Sequence, residues 1–356
     1  MSISQLSLTD FRNLKSTTLD FHPALNLISG NNGSGKTSLL ESIHVLCQAH
    51  SFRTHALKQC IRHGQNGFLL FGRFSGFKAG LSKSADKIEI KVNGETIKRR
   101  SELVRRTPVN VLNSSSFELI DGVPQVRRKF LDWCLFHVEH QYADLWIESQ
   151  HALRQRNRLL KTTRDLRQLD YWDQALIEPA VKLSQLRKEY VLKLGQVIET
   201  EFSEIVQGLN PLIEYIPGWP KEGSLETAIE NSRARDLKTG FTNCGIHRDN
   251  LRLTSGGIPA GEILSRGQSK RFCLSLVLGL LKLVQEKGNA RTILLIDDLN
   301  SELDQESREM VYQRLSAMQL QLFISNVEPD IPLGVSTKEV KMFHVEHGII
   351  KPRNFS

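Results

Sequence analysis

A glycine-rich stretch near the start of the chain has residue types and spacing that suit phosphate binding. Residues 30–37 read Gly-Asn-Asn-Gly-Ser-Gly-Lys-Thr and fit the pattern G-x-x-x-x-G-K-[ST]. Glycines let backbone N–H groups wrap a phosphate chain, and a helix beginning at Lys36 adds the positive end of its dipole. Lys36 would reach the β- and γ-phosphates, and the Thr37 hydroxyl would ligate Mg²⁺. The sequence therefore predicts a nucleoside triphosphate site; the alternative is a glycine turn that precedes Lys-Thr by chance.

The residues that this prediction places around the phosphates are Gly30, Asn31, Asn32, Gly33, Ser34, Gly35, Lys36 and Thr37.

Two adjacent carboxylates follow an apolar run late in the chain. Residues 292–298 read Thr-Ile-Leu-Leu-Ile-Asp-Asp, which is typical of a buried parallel strand with a polar carboxyl end. Asp297 would hold Mg²⁺, and Asp298 could polarise the attacking water. The alternative is a strand that ends in a solvated acidic turn, but the glycine-rich stretch requires an acidic partner of this kind.

A third motif lies upstream of the paired carboxylates. Residues 264–268 read Leu-Ser-Arg-Gly-Gln and stand at the start of a predicted helix, 267–285, which has one apolar face. They resemble the signature of ABC-type ATPases, and residues 301–304 resemble the D-loop of that family. The resemblance implies ATP as the nucleotide. It also implies an ATP-dependent homodimer in which the signature binds the γ-phosphate held by a second copy. The residues that it assigns to this role are Ser265, Arg266, Gly267 and Gln268.

The elements that would position these motifs follow from hydrophobic periodicity. Apolar spacing predicts strands within 3–29, a helix over 36–49 and a strand over 67–74. Alternation around Asn93-Gly94 predicts a hairpin over 87–98. A strand is predicted over 292–296.

Between these β-containing parts the sequence is helical and charged. Helices are predicted over 142–161 and 169–206, with a boundary or kink at Pro179. We therefore expect an α/β fold with an inserted helical arm, and the resemblance to ABC-type ATPases implies that the rest is a P-loop ATPase head. The expected parts are residues 1–112 (head with the P-loop), 113–236 (arm) and 237–356 (head with signature, Walker B and D-loop).

Composition limits the classes of protein further. The chain has 356 residues and a net charge of +8, which favours a polyanionic partner. Its five cysteines have no CxxC spacing, which indicates reduced thiols. No apolar signal stretch opens the sequence, and the longest apolar run, around 274–283, is too short to span a bilayer. We expect a cytoplasmic protein with no membrane partner.

The whole chain resembles the RecF family of bacterial recombination mediators. The resemblance rests on specific stretches outside the ATPase motifs as well as on the motifs themselves. They are 8–14 (Leu-Thr-Asp-Phe-Arg-Asn-Leu), 51–54 (Ser-Phe-Arg-Thr), 127–133 (Arg-Arg-Lys-Phe-Leu-Asp-Trp), 155–157 (Gln-Arg-Asn), 247–249 (His-Arg-Asp) and 296–304.

This resemblance implies an ABC-type (SMC-like) P-loop ATPase head with an inserted helical arm. It also implies weak, DNA-stimulated ATPase activity in recombinational repair and replication restart. It implies ATP-dependent dimerisation on double-stranded DNA near single-strand/double-strand junctions, and loading of RecA together with RecO and RecR. It also places Arg12 and Asn13 near the nucleotide and puts Asp298 where related ATPases carry a catalytic glutamate.

The sequence departs from the ABC pattern at three positions. Asp298 is shorter than glutamate, which predicts slow hydrolysis. No switch histidine follows the next strand, where Ser325 and Asn326 stand instead, and Asn110 is the candidate for the Q-loop residue.

Two other functions remain as alternatives. A transporter-type ATPase subunit would carry its signature much nearer the P-loop, whereas about 230 residues separate Lys36 from Ser265 here. An SMC-like structural tether would make hydrolysis irrelevant to function.

Clustered basic residues suggest contact with the DNA backbone, which is sequence-neutral and salt-sensitive. The alternative is solvated helix faces paired with local acids. The candidate residues are Arg127, Arg128, Arg154, Arg156, Arg158 and Lys161.

Overall fold

The computed structural model describes residues 2–162, 166–287, 291–298, 303–328 and 339–353. It divides into two compact units. We name Met1–Ser116 with Gln285–Ser356 the sheet unit, and Phe117–Val284 the helical unit.

The strands, in chain order, are β1 (Ile3–Thr9), β2 (Thr17–Asp20), β3 (Leu25–Ser29), β4 (Gly67–Phe74), β5 (Phe77–Ser84), β6 (Ile88–Val92), β7 (Glu95–Thr96), β8 (Val109–Leu112), β9 (Pro211–Ile216), β10 (Asn250–Ser255), β11 (Ile258–Pro259), β12 (Thr292–Asp297), β13 (Leu320–Asn326), β14 (Val340–Glu346) and β15 (Ile349–Arg353). The helices are α1 (Lys36–Gln48), α2 (Arg100–Arg106), α3 (Glu118–Asp121), α4 (Pro124–Val138), α5 (Tyr142–Thr162), α6 (Leu166–Glu201), α7 (Leu225–Thr239), α8 (Ala260–Ile263), α9 (Arg266–Lys287) and α10 (Gln305–Ala317). Short 3₁₀ turns cover Leu57–Cys60, Ser114–Phe117 and Ile246–Arg248.

A mostly parallel sheet carries the candidate site in the sheet unit. Its order is β15-β14-β3-β13-β12-β8, with only the edge strand β15 antiparallel to its neighbour. Every residue of β3 and β13 is buried, because a parallel strand covered on both faces needs a continuous apolar run. The carboxyl ends of parallel strands share one edge, so the loop after β3 and the end of β12 lie at the same edge.

A second, antiparallel sheet has the order β2-β1-β4-β5-β6-β7. The strand predicted over 67–74 is β4, whose alternating burial leaves one face partly exposed. The predicted hairpin is present as β6 and β7, and Asn93 (φ 52°) and Gly94 (φ 91°) make its tight turn. Helix α1 lies in a core shared by both sheets, since Leu40 clusters with Leu70 of β4 and Ile293 of β12.

The helical unit contains an antiparallel pair of long helices, α5 and α6, beside a small sheet of order β11-β10-β9. The sequence predicted α5 closely but gave no sign of β9 or α7. Pro179 does not end or divide α6, which runs continuously from Leu166 to Glu201. None of the described helices is both long enough and apolar enough to cross a lipid bilayer.

The observed division of the chain differs from the expected one at its second boundary. The first expected boundary, after residue 112, lies near the observed one after Ser116. The return to the head was expected at residue 237, but residues up to Val284 belong to the helical unit. The reason is packing, because Gly279 of α9 lies directly against Leu194 and Ile198 of α6.

Candidate nucleotide-binding site

The glycine-rich loop joins β3 to α1, as the sequence predicts. Gly30, Gly33 and Gly35 have φ values of 146°, 78° and 122°, which L side chains rarely adopt. A Cβ at Gly30 would overlap the carbonyl oxygen of Val345, and one at Gly35 would lie 2.7 Å from Leu14 Cδ2. Glycine is therefore required at 30 and 35 by both backbone conformation and close packing.

Two distant segments support this loop. Asn13 Nδ2 donates to the carbonyl oxygens of Gly33 and Ser34, each at 3.4 Å, while Asn13 Oδ1 accepts from Ser38 Oγ at 2.9 Å. The Gly348 N–H, in the turn between β14 and β15, donates to Ser34 O at 2.9 Å. The structure thus places Asn13 at the loop.

Lys36 extends back along the loop from the first turn of α1. Its Nζ donates to the carbonyl oxygens of Gly30 at 2.7 Å and Asn31 at 3.1 Å. Burial lowers the pKa of Lys36, and the nearby charges of Asp298 and Asp297 partly offset that effect. The ammonium group therefore lies within the loop that the sequence pattern assigns to phosphate binding.

Asp297 joins three elements at the carboxyl edge of the parallel sheet. Its Oδ1 accepts a hydrogen bond from Thr37 Oγ1 at 3.0 Å and another from Ser325 Oγ at 2.6 Å. The two predicted Mg²⁺ ligands, 260 residues apart in sequence, are thus in direct contact. Hydroxyl and carboxylate oxygens are suitable ligands for Mg²⁺.

Asp298 occupies a left-handed backbone conformation with φ 56°. Its N–H donates to the carbonyl oxygen of Ser325 at 3.1 Å, which ties the turn to the end of β13. Asn and Asp are several-fold enriched among non-glycine residues with positive φ. The backbone conformation at this position therefore suits an aspartate better than most other L residues.

These residues line one cavity of about 740 Å³ in the sheet unit, a volume in the roughly 300–1,000 Å³ range of small-molecule sites. Three arginines and Lys36 face two carboxylates, so the lining carries a positive surplus that suits a polyanion. The lining residues are Arg12, Asn13, Asn32, Gly33, Gly35, Lys36, Thr37, Ser38, Arg53, Ile61, Arg62, His63, Asp297 and Asp298.

Arg53, Arg62 and His63 also line this cavity, which their sequence context did not predict. Residues 51–54 supported the family resemblance, but their sequence provided no indication of a role. Arg12, which the resemblance placed near the nucleotide, does line the cavity. Its guanidinium is also paired with the buried carboxylate of Glu41.

The signature segment begins α9 in the helical unit. Ser265, Arg266 and Gly267 are exposed and Gln268 is half-buried. Ser265 Oγ accepts from the Gln268 N–H at 3.3 Å, and Gln268 Oε1 accepts from the Ser265 N–H at 2.9 Å. This reciprocal pair is a capping box, so the sequence encodes the start of the helix here.

The structure revises the expected Q-loop and describes only part of the D-loop. Strand β8 continues through Leu112, so Asn110 lies within the strand, and its Oδ1 accepts from the Val111 N–H at 2.7 Å. Asp304 Oδ1 caps α10 by accepting from the Ser307 N–H at 2.8 Å. Ser301 and Glu302 of the expected D-loop lie outside the described residues.

The prediction that Arg156 faces DNA is wrong. Its side chain is 0% exposed and donates to Asp173 Oδ1 at 2.5 Å and to Asp236 Oδ2 at 2.8 Å. A third bond joins it to Thr242 Oγ1 at 2.8 Å. Arg156 therefore neutralises buried carboxylates between α5, α6 and α7.

The other basic candidates differ in exposure. Arg127 donates to the Gly122 carbonyl at 2.8 Å, and Arg128 donates to the Asp249 carbonyl at 2.5 Å, so both have partners inside the helical unit. By contrast Arg154, Arg158 and Lys161 are exposed on α5. The basic surface of α5 is thus smaller than the sequence suggested.

The segment 247–249, one of the stretches that carry the family resemblance, contributes a buried carboxylate to the helical unit. Asp249 is buried and accepts from Arg187 Nη1 at 2.5 Å and from Tyr215 Oη at 2.7 Å. Burial raises the pKa of Asp249, although Arg187 acts against that shift. Its role in the helical unit is structural.

A parallel sheet with a P-loop, a facing carboxylate and a separate signature helix defines an ABC-type ATPase of the SMC-like class. A family model described as the RecF/RecN/SMC N-terminal domain matches residues 2–351. The chain belongs to the RecF family. It is 35% identical over 354 residues to the DNA replication and repair protein RecF of Shewanella denitrificans, and 35% identical to that of Shewanella piezotolerans. Each match covers 98% of both chains.

Solved structures support the same assignment. The recombination mediator protein RecF with ATP, from the RecFOR pathway, matches with a TM-score of 0.88 at 25% identity, over 99% of this chain and 98% of that one. An Smc head bound to the C-terminal winged-helix domain of ScpA matches with a TM-score of 0.59 at 14% identity, over 100% of this chain and 98% of that one. The second likeness shows the shared fold alone.

Proposed function

We propose that this chain is an ATP-binding recombination mediator of the RecFOR pathway that hydrolyses ATP slowly. The observation that carries the proposal is the Thr37–Asp297 contact of 3.0 Å, which brings the two expected Mg²⁺ ligands together in the lining of the P-loop cavity. The names of its relatives, which are replication and repair proteins, support the biological role.

The nucleotide would lie along the loop of residues 30–37, with its phosphates against the loop N–H groups and Lys36. The open space next to Gly33 and the positive lining fit a triphosphate. Thr37 and Asp297 would hold Mg²⁺, which when bound supplies positive charge to the β- and γ-phosphates.

Asp298 is the proposed catalytic residue, acting on the attacking water. Its side chain is one methylene shorter than that of glutamate, so its carboxylate reaches less far toward the attacking water. We therefore expect slow turnover. Ser325, at the end of β13, would assist by holding Asp297 through the 2.6 Å hydrogen bond.

Dimerisation is proposed from the exposed signature. Ser265, Arg266 and Gly267 are accessible at the start of α9, where the helix dipole favours an anion. In the proposed homodimer this segment, with Gln268, contacts the triphosphate held by the second copy.

The proposed partners are double-stranded DNA near single-strand junctions, RecR, RecO and, through loading, RecA. Arg154, Arg158 and Lys161 are the residues of α5 that could contact a DNA backbone. We propose that the protein acts in the cytoplasm and that duplex DNA stimulates its ATPase.

One experiment tests the core of the proposal. ATP affinity and hydrolysis are measured by calorimetry and phosphate release with no DNA, duplex DNA or gapped DNA, for the wild type and Lys36→Ala. Lys36→Ala should weaken ATP binding about 10- to 100-fold, the effect of losing charged hydrogen bonds. Unchanged ATP affinity in the variant would contradict the assigned site.

The structural tether is distinguished in cells. If hydrolysis is irrelevant, Asp298→Asn and Lys36→Ala should both restore ultraviolet resistance to a strain that lacks the protein. The proposed function expects neither variant to do so.

A further inference from the structure

A fully buried carboxylate in α1 has no role in the scheme above. The Glu41 side chain is 0% exposed. It accepts from Arg12 Nε at 2.9 Å and Arg12 Nη2 at 2.7 Å, which is a bidentate pair. It also accepts from Ser51 Oγ at 2.5 Å and from Arg53 Nη1 at 3.3 Å.

Both arginines that contact Glu41 line the nucleotide cavity. The side chain of Arg12 is 21% exposed and that of Arg53 is 44% exposed, so each is partly open to the cavity. One carboxylate shared by two guanidinium groups leaves a surplus positive charge at this place. If the only role of Glu41 were to neutralise one arginine, a single guanidinium group would be enough, yet Glu41 contacts two.

Glu41 also supports the turn that carries Arg53. Ser51 Oγ, which donates to Glu41, accepts from the backbone N–H groups of Arg53 at 2.8 Å and Thr54 at 3.1 Å. The backbone of this turn and the guanidinium of Arg53 are therefore both held, directly or through Ser51, by the same carboxylate.

Glu41 is ionised at neutral pH despite its burial. Burial acts to raise the pKa of Glu41, but hydrogen bonds from Arg12 and Ser51 and the charges of both arginines lower it below its usual value. The carboxylate can therefore hold both cations at once.

We propose that Glu41 is a positioning residue for the nucleotide: it holds the guanidinium groups of Arg12 and Arg53 at the cavity before a triphosphate enters. The triphosphate then meets two cations whose side chains are already ordered, which reduces the entropy cost of binding. This inference rests on the proposed function, because it requires the cavity to bind ATP.

The test is a double-mutant cycle of Glu41→Gln and Arg53→Ala, with ATP–Mg²⁺ affinity measured by calorimetry and stability by thermal unfolding. Glu41→Gln should weaken ATP binding about tenfold, comparable to one charge-assisted hydrogen bond. In the Arg53→Ala background the same change should have a smaller effect, because only the Arg12 part of the Glu41 role remains to be lost.

A matched control separates positioning from simple destabilisation. Leu131→Ala removes a buried side chain, 3% exposed, in the helical unit. It should lower the unfolding temperature and leave ATP affinity at the wild-type value. If Glu41→Gln lowers the unfolding temperature but binds ATP like the wild type, or weakens ATP equally in both backgrounds, the proposal is overturned.

A milder variant covers the case in which Glu41→Gln does not fold. Ser51→Ala keeps the carboxylate and removes its support of the turn, so we expect a smaller loss of ATP affinity, about threefold. Unchanged affinity in this variant would count against the proposal. If the wild type itself binds no ATP, the proposed function is wrong. If the wild type binds ATP and these variants bind it equally well, only the positioning role of Glu41 is wrong.

Discussion

Asp298 shows how a backbone conformation can limit a side-chain choice. Its φ of 56° and its hydrogen bond to the Ser325 carbonyl fix a left-handed turn beside the cavity. In the proposed mechanism Asp298→Asn removes the group that polarises water and leaves the phosphate contacts intact. We expect single-turnover hydrolysis to fall by about 100-fold or more, with ATP affinity within about twofold of the wild type.

A fall in affinity as large as the fall in rate would instead place Asp298 in ground-state binding. Calorimetry and quenched-flow phosphate release on the same preparation distinguish the two results.

His44, buried in α1, gives the sheet unit a defined pH dependence. Burial, with a smaller contribution from the charge of His50, lowers the pKa of His44 to about 3. Between pH 6.5 and 3 the unfolded chain gains a proton here that the folded chain does not. Stability therefore falls as the pH decreases, by about 1 kcal/mol per pH unit from this group.

His44→Asn should remove this part of the slope because asparagine does not titrate. Its side-chain N–H can replace the ring N–H that donates to the His50 carbonyl at 2.9 Å, so the variant keeps this hydrogen bond. Urea unfolding between pH 4 and 6.5 measures the change. Leu40→Ala, a buried change in the same helix that removes no titrating group, is the control; it should lower stability and keep the wild-type slope. An unaltered slope in His44→Asn would refute the assignment.

At the scale of elements, α5 has two kinds of arginine. Arg156→Ala leaves Asp173 and Asp236 without their shared buried cation, so we expect the free energy of unfolding to fall by about 3 kcal/mol or more.

The exposed Arg154 and Arg158 should affect DNA binding and not stability when both are changed to Ala. The unfolding temperature should stay at the wild-type value. The affinity for duplex DNA should fall, and it should depend less steeply on salt concentration than that of the wild type.

Thermal unfolding and DNA titration at several salt concentrations check both halves. Weaker DNA binding by a fully folded Arg156→Ala would show that the buried network also serves the DNA surface. No effect of the Arg154 and Arg158 changes would remove α5 from the proposed interface.

At the scale of the whole molecule, the proposed dimer depends on the exposed signature segment, which contacts the triphosphate held by the second copy. ATP–Mg²⁺ should convert a monomer to a dimer in sedimentation velocity runs, and ADP should not. Ser265→Arg places a bulky cation at an exposed position, so it should block the dimer while leaving ATP affinity of the monomer unchanged.

Two outcomes would contradict this prediction. The wild type could remain monomeric with saturating ATP and duplex DNA, or Ser265→Arg could dimerise normally. Either result would reduce the proposal to a solitary nucleotide-binding protein.

The local elements could be read from the sequence because their patterns depend on neighbouring residues. The strand over 67–74 was predicted to the residue, and the helix over 36–49 and the Asn93-Gly94 hairpin were predicted within one or two positions of their ends. The continuous apolar run before Asp297 likewise indicated a buried parallel strand, and β12 is one.

Other features depended on which distant segments meet. Periodicity could not show that Arg156 pairs with Asp236, that Arg53 reaches the cavity, or that α9 packs in the helical unit. It also could not show that α6 accommodates Pro179 without a break. A charged side chain looks the same in sequence whether water or a buried carboxylate surrounds it. Backbone preference is encoded locally, whereas the solvation and partners of a side chain are set by residues remote in sequence.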